Sequence, residues 1–420
     1  MSAPRPAPSA DWEREVVVVG AGAAGLWAAA VAARAGRGVL LLEKTRRTGT
    51  KILASGGTRC NLTTTLGAAE AARLFRRRGE RFLGPAFGAL SPADLRERFG
   101  SLGLPTVEAP LEKVFPASGR ARDVRDALER EARAAGVEIV LDAPGRGVRR
   151  DGSGWGVAVG GGRSAVGGAL LLCTGGASYP RTGTTGEGYA WLRELGLPVV
   201  EPTPALVPLT SPEAWVRELT GIALEDVEVR AVDGRGRTVA VRRRPLLFTH
   251  QGISGPGPMD VSVHVGRGGV SLVRVDLLPD VEREELRRTW IEAARAPGRP
   301  RLAKLLPEIP RRVVEAAARR AGAGEGNPVL AGLSRERRHA LIETLKGLPI
   351  EVDGTRGWEL AEVTAGGLDV RAVNPRTMEV NGMRGLYVLG ELLDLDGPIG
   401  GLSFQAAFAC AELAGRAVSV

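Results

Sequence analysis

At 420 residues the chain is too long for one small core and is expected to divide into two or three structural units. Its 44% apolar and 25% charged residues are those of a globular protein large enough to fold without disulfide or metal staples. The net charge of +9 is carried almost wholly by arginine, but runs such as Arg76-Arg77-Arg78 and Arg242-Arg243-Arg244 are short, and only 4% of residues are aromatic, which argues against a nucleic-acid stacking platform.

Cys60, Cys173 and Cys410 are far apart and form no CxxC pair, so neither a disulfide framework nor a dithiol centre is expected, and a reducing cytoplasm fits best. The three histidines do not cluster with cysteine at ligand spacing, so no metal site is expected.

The chain opens on a stretch rich in Pro, Ala and Ser over Met1 to Ala10, and residues 1–13 read as a disordered leader without the basic and apolar blocks of a signal peptide. Val16 to Ala33 then carries no charge and is long enough to suggest a membrane span. Its internal order points elsewhere: four valines read as a buried parallel strand, three glycines follow, and an Ala-rich helix comes next. In Gly20-Ala21-Gly22-Ala23-Ala24-Gly25 the first glycine permits the tight turn, the second lets backbone approach a pyrophosphate, and the third lets the helix pack on the sheet. The helix N-terminus then faces the phosphates. A second strand over residues 38–42 ends at Glu43, placed to accept bonds from ribose hydroxyls. Strand, glycines, helix, strand and acid together indicate a dinucleotide site, with NAD as reasonable as FAD at this point.

Thr48 to Thr63 is loop-like, and its glycines and small hydroxyl residues suit backbone running close to a ligand, with Lys51 and Arg59 offsetting phosphate charge. Helices are expected over Ala68–Arg78, Pro92–Leu102 and Ala121–Ala135. A strand over Val137–Leu141, a hairpin around Gly152–Gly154 and a buried strand over Ala169–Cys173 follow, the last leading into Thr174-Gly175-Gly176. After Leu197, three prolines mark a boundary. Strands are expected at Ala205–Leu209, Ile222–Val232, Thr238–Arg242 and Val270–Leu277 without helices between them, which reads as an antiparallel β domain. Residues 282–345 read as a helical subdomain. The opening grammar returns at the end: a strand over Gly385–Leu389, then Gly390-Glu391, then Gly400-Gly401 leading into a helix from Ser403 to Ala414. A helix N-terminus there would stabilise negative charge on a reduced flavin, which tips the reading to FAD.

The segments Lys51-Ile52-Leu53-Ala54-Ser55-Gly56-Gly57-Thr58-Arg59-Cys60-Asn61-Leu62-Thr63, Val114-Phe115-Pro116, Thr174 to Pro180, Leu247 to Pro256, Glu362 to Gly367, Thr377-Met378-Glu379 and Gly390-Glu391 through Gln405 resemble the YhiN/BaiN-like bacterial flavoproteins, described as aminoacetone-oxidase-type or bile-acid-reductase-like enzymes. The resemblance runs from about Glu15 to Gly415. It implies an α/β fold: a glutathione-reductase-type FAD-binding Rossmann domain (residues 14–200 and 356–420), an inserted antiparallel β domain for substrate (201–281 and 346–355) and the helical subdomain. It further implies non-covalent FAD held by Gly20, Gly22, Ala24, Gly25, Glu43, Lys44, Lys51, Ser55, Gly57, Arg59, Asn61, Thr174, Gly175, Gly390, Glu391, Gly401 and Gln405. Thr58 stands where the family usually has glycine, and Leu402-Ser403 where it often has Tyr-Asn.

The expected activity is hydride transfer between a small-molecule substrate and FAD. Only one dinucleotide fingerprint is present, so NAD(P)H would dock transiently as electron donor. Tyr179 and His250 are the candidate proton-exchanging residues, each with a purely structural role as the alternative. Two rival classes are a flavin-bearing RNA-associated enzyme or binding protein, prompted by the charge, and an NAD-binding module without redox turnover.

Overall fold

Val16 to Val19 are almost wholly inaccessible to solvent, and β-branched residues that fit a pleated surface covered on both faces dictate a central parallel strand. The computed structural model describes residues 10–75, 77–295 and 298–418. Strand β1 (Trp12–Val19) begins inside the stretch expected to be a leader, and residues 1–9 of that leader lie outside the described residues. It is followed by α1 (Ala23–Arg34), β2 (Val39–Leu42) and the short α2 (Thr50–Ala54). Next come β3 (Thr63–Thr64), α3 (Ala68–Arg73), α4 (Arg77–Ala89) and α5 (Pro92–Ser101). Strand β5 (Lys113–Pro116) pairs with both β3 and β4 (Thr106–Ala109) in a small antiparallel sheet. Helix α6 (Ala121–Ala134) leads to β6 (Glu138–Val140), the hairpin β7 (Gly145–Asp151) and β8 (Gly154–Val159), β9 (Arg163–Leu172), α7 (Glu187–Glu194) and β10 (Val199–Ala205).

A separate run of elements follows: β11 (Leu209–Thr210), α8 (Ala214–Glu218), β12 (Ala223–Leu224), β13 (Glu228–Asp233), β14 (Thr238–Arg243), β15 (Leu246–Thr249) and β16 (Gly252–Ser254). Then come α9 (Pro256–Gly266), β17 (Val270–Asp276), α10 (Arg283–Arg295), α11 (Leu302–Leu305), α12 (Arg311–Arg320), α13 (Arg335–Leu345), β18 (Leu348–Glu351) and β19 (Gly354–Thr355). The chain closes with β20 (Val363–Leu368), β21 (Leu386–Val388) and α14 (Leu402–Ala417).

The chain forms two units, one from the residues up to Pro202 with those from Glu362 onward, the other from Thr203 to Ala361. In the first unit the main sheet runs β6-β2-β1-β9-β8-β7. Parallel registers Val16↔Val39 and Val16↔Ala169 place β2 and β9 on either side of β1. The second edge of β9 is shared: β8 pairs antiparallel with Arg163–Gly167, and β21 pairs parallel with Leu170–Leu172. The last strand thus enters the same sheet as the first, which is how the two ends of the chain build one domain.

The second unit has its own core. Its strands form two antiparallel sheets, β12-β15-β16-β11-β19 and β14-β13-β17-β18. Leu286 and Trp290 of α10, Val313 and Val314 of α12 and Leu341 and Ile342 of α13 pack in the same apolar cluster as the strands. Expecting no helix between the strands missed the short α8 and the longer α9. Pro256 and Pro258 lower its apparent helix propensity, but both lie in its first turn, where proline forfeits no hydrogen bond, and Val261 and Val265 bury its inner face. Among the described residues no helix is long and apolar enough to cross a membrane, and no His, Cys, Asp and Glu group could hold a metal.

Candidate functional site

The three glycines of the opening loop are required for different reasons. Gly20 has φ +104, and a Cβ there would lie 2.4 Å from the Cys173 carbonyl oxygen, while a Cβ on Gly25 would lie 1.9 Å from that of Gly20. Gly20 is demanded by its positive φ and by the close approach of the ends of β1 and β9, and Gly25 by the packing of α1 on the end of β1. At Gly22, the N-cap of α1, a Cβ would have no protein atom within 4 Å. Protein packing does not demand that glycine, and the open space beside its backbone is what a pyrophosphate needs. No side chain caps α1 and its first turn holds no acid, so its leading N–H groups are left for an anion.

Glu43 is buried and staples this loop. Its Oε2 accepts from the Ala21 N–H at 2.8 Å, and its Oε1 accepts from the Thr45 N–H at 2.9 Å and hydroxyl at 2.8 Å. Oε2 thus has one donor among the described hydrogen bonds, fewer than a carboxylate oxygen can accept.

The second wall comes from the loop after α2. Gly56, Gly57, Thr58 and Cys60 all have φ between +55 and +70, so the chain turns repeatedly through left-handed backbone. The bend is pinned by the Ser55 hydroxyl donating to the Ile52 carbonyl at 2.7 Å and by the Cys60 N–H donating to the Ser55 carbonyl at 3.1 Å. Asn61 Oδ1 accepts from the Val114 N–H at 3.0 Å, tying the loop to β5, and the Arg59 guanidinium lies 4.4 Å from the Phe115 ring centroid. Burial pushes the Cys60 thiol up to about 12, so it is a packing residue and not a thiolate.

Lys51 connects this loop to both other parts of the site. Its Nζ donates to Ser178 Oγ and to Glu391 Oε2, each at 2.6 Å. Glu391 follows β21 and also accepts from the Gly176 N–H at 3.3 Å, while its backbone carbonyl accepts from the Tyr189 hydroxyl at 2.7 Å. Thr364 Oγ1 accepts from the Ala177 N–H at 2.9 Å and the Ser178 N–H at 3.2 Å. A Cβ on Gly176 would lie 2.2 Å from Thr364 Oγ1, so glycine is what lets the strand ends meet.

The structure therefore joins Lys51, Gly176, Ser178, Thr364 and Glu391, from segments far apart in sequence, in one hydrogen-bonded network, while Thr174 and Gly175 lead into Gly176 and the buried Thr174 hydroxyl has no hydrogen-bond partner among the described residues. Lys44 is paired with Glu187 at 2.5 Å and donates to Thr185 Oγ1 at 2.9 Å. Gly390 and Gly401 have φ +68 and +79, and a Cβ on Gly401 would lie 2.2 Å from the Thr63 carbonyl oxygen. The Gln405 side chain is wholly buried, with its Nε2 donating to the Leu90 carbonyl and its Oε1 accepting from the Thr63 hydroxyl, so its amide is spent on holding α14. Leu402 is buried and Ser403 half-buried in the first turn of α14. Tyr179 has left-handed backbone and an exposed ring beside Ser178. His250 is exposed in the tight turn between β15 and β16 of the second unit. Sequence reasoning gave no role to Ser178, Tyr189, Glu362 or Thr364. The return of the Glu362–Gly367 segment beside Thr174–Pro180 is the signal that would have found them.

The family described as HI0933-like protein Rossmann domain matches residues 14–417. The chain is 33% identical to the ribosomal RNA dihydrouridine synthase of Escherichia coli (strain K12), over 95% of this chain and 97% of that one. It is 31% identical to the 3-dehydro-bile acid delta(4,6)-reductase of Clostridium scindens, over 96% and 98%. The crystal structure of the 3-ketosteroid-delta4-(5alpha)-dehydrogenase of Rhodococcus jostii RHA1 superposes with a TM-score of 0.50 at 18% identity, covering 99% of this chain and 98% of that one, and this likeness speaks to fold alone. The chain belongs to the HI0933-like family and is an FAD-dependent oxidoreductase.

Proposed function

We propose that this HI0933-like chain uses non-covalent FAD to reduce a ring carbon–carbon double bond conjugated to a carbonyl. The observation that carries the reading is the chemistry common to two full-length relatives. A dihydrouridine differs from uridine by two hydrogens across such a bond, and a delta(4,6) reductase of a 3-keto steroid removes the same kind of unsaturation. The open space at Gly22 and the unoccupied donors of the α1 N-terminus support a pyrophosphate there, with Gly20, Ala24 and Gly25 shaping the turn. Glu43 would take the ribose. Lys44, Lys51, Ser55, Gly57, Arg59, Asn61, Thr174, Gly175, Gly390, Glu391 and Gly401 would line the rest, and Gln405 would act by fixing α14.

When bound, the flavin supplies two-electron hydride chemistry. The chain's own residues must orient the substrate and manage one proton. The Lys51–Glu391 pair keeps a positive and a negative group locked together at the joint of the two chain ends, so neither is free to wander on binding. With one dinucleotide fingerprint, a nicotinamide donor would dock and leave.

A second reading concerns the substrate. The name of the Escherichia coli relative makes a uracil ring within RNA the alternative to a free steroid-like enone. Anaerobic mixing of the photoreduced holoenzyme with cyclohex-2-enone, a 3-keto-delta4 steroid or unmodified ribosomal RNA tests both readings at once. Reoxidation of the flavin by one of these acceptors is expected, and salt-sensitive reoxidation by RNA alone selects the second reading. A flavin that only oxygen reoxidises, after reduction by amines, would make the chain an oxidase and overturn the proposal.

A further inference from the structure

Glu43 is 9% exposed, and among the described residues no cation pairs with it. Lys44, the next residue in sequence, is committed to Glu187 and Thr185. The charge of Glu43 is therefore met by N–H and O–H dipoles alone: the Ala21 N–H on Oε2, and the Thr45 N–H and hydroxyl on Oε1. A buried carboxylate is tolerated only as far as its oxygens accept hydrogen bonds. Thr45 supplies two of these three donors, so it decides how the carboxylate is held.

Thr45 is itself fixed at three points. Its carbonyl accepts from the Asp142 N–H at 3.2 Å, which ties it to the chain just beyond β6. Its methyl group faces Gly183, where a Cβ would come within 2.9 Å of Thr45 Cγ2. Its hydroxyl lies 2.8 Å from Glu43 Oε1 and 2.7 Å from the Arg47 carbonyl oxygen. A hydroxyl has one proton, and both of these neighbours are acceptors. The carboxylate is the stronger of the two, so in the free chain the proton goes to Glu43. Two donors then occupy Oε1 and one occupies Oε2, which fixes the rotation of the carboxylate and makes Oε2 the oxygen with capacity to spare.

We propose that Thr45 is the positioning residue of the ribose site: by occupying Oε1 of Glu43 it presents Oε2, already bonded to the Ala21 N–H of the glycine loop, as the acceptor for a ribose hydroxyl. The assignment rests on the reading that Glu43 takes the adenosine ribose of FAD. A hydroxyl donating to Oε2 brings the carboxylate to four donors and weakens its pull on the Thr45 proton. The Arg47 carbonyl, 2.7 Å away, is the second acceptor for that proton, so Thr45 serves both states without moving. Its methyl contact with Gly183 keeps the hydroxyl in place in each.

The test titrates the flavin-free chain with FAD and with its 2′-deoxyadenosine and 3′-deoxyadenosine analogues, for wild type, Thr45→Ser, Thr45→Val and Glu43→Gln. Wild type is expected to prefer FAD to at least one analogue by about tenfold or more, the worth of a hydrogen bond to a charged group. Thr45→Val keeps the N–H donor and the methyl contact and loses only the hydroxyl, and it should cut that preference at least about threefold. Thr45→Ser, which keeps the hydroxyl, should retain it. The preference is a ratio within one variant, so a general loosening of the loop leaves it unchanged. A Thr45→Val chain that keeps the full preference, or binds FAD and both analogues more weakly by one common factor, overturns the assignment alone, as does a Thr45→Ser chain that loses the preference. A wild type that binds all three equally, or a Glu43→Gln chain that keeps the full preference, overturns the ribose reading of Glu43 and this proposal with it.

Discussion

Thr58 is a β-branched residue at φ +70, in a loop where its neighbours Gly56 and Gly57 take the same left-handed backbone without cost. Its side chain is exposed, so nothing in packing compensates the strain. Thr58→Gly is therefore expected to be neutral or to stabilise the chain by up to about 1 kcal/mol in urea denaturation, because relief of strain is partly offset by the greater freedom of glycine in the unfolded chain. Gly401→Ala, at φ +79 and with its new Cβ against the Thr63 carbonyl, should cost about 2–4 kcal/mol. Glu362 gives a pH-dependent counterpart. Its carboxyl is raised in the folded chain, so the stability tied to its proton is fully present below the unfolded glutamate value and is lost as pH rises through the folded one. Glu362→Gln lacks that loss, and its melting temperature should overtake that of wild type as pH rises; an unchanging difference between the two would contradict the raised titration.

At the scale of elements, the buried pair Lys346–Asp276 joins the end of α13 to β17. Lys346 Nζ donates to Asp276 Oδ2 at 2.7 Å and to the Leu278 carbonyl at 2.6 Å, and both side chains are nearly inaccessible. Lys346→Met should cost about 2–4 kcal/mol because it leaves the buried Asp276 carboxylate only the Leu278 N–H and Arg230, 3.5 Å away, and adding Asp276→Asn should restore part of it. The same distinction between local and distant partners governs what the sequence made legible. The glycine loop, Glu43 and the two strands around them are local pattern, and each lies where its spacing implies. Helix α9 was hidden because its first turn is rich in proline and glycine, and α4 because Pro85 and three glycines obscure its periodicity. Gln405 falls within a motif-like segment, but its amide is used by Thr63 and Leu90, partners no local pattern could reveal.

On the scale of the whole molecule, one unit is made from both ends of the chain and the other lies wholly between them, each with its own apolar cluster. Residues 203–361 expressed alone are expected to unfold in one cooperative transition, whereas broad, non-cooperative melting would show that their core is incomplete. The account as a whole depends on the first unit holding FAD by its pyrophosphate at the α1 N-terminus. Gly22 isolates that claim, since a side chain there meets no protein atom within 4 Å and the backbone is in the extended region any residue adopts. The decisive measurement is the FAD dissociation constant of Gly22→Val beside the melting temperature of its flavin-free form. An unchanged melting temperature with FAD binding weakened at least about tenfold, roughly 1.4 kcal/mol, is the predicted result. A Gly22→Val chain that melts normally and still binds FAD as tightly as wild type would contradict it.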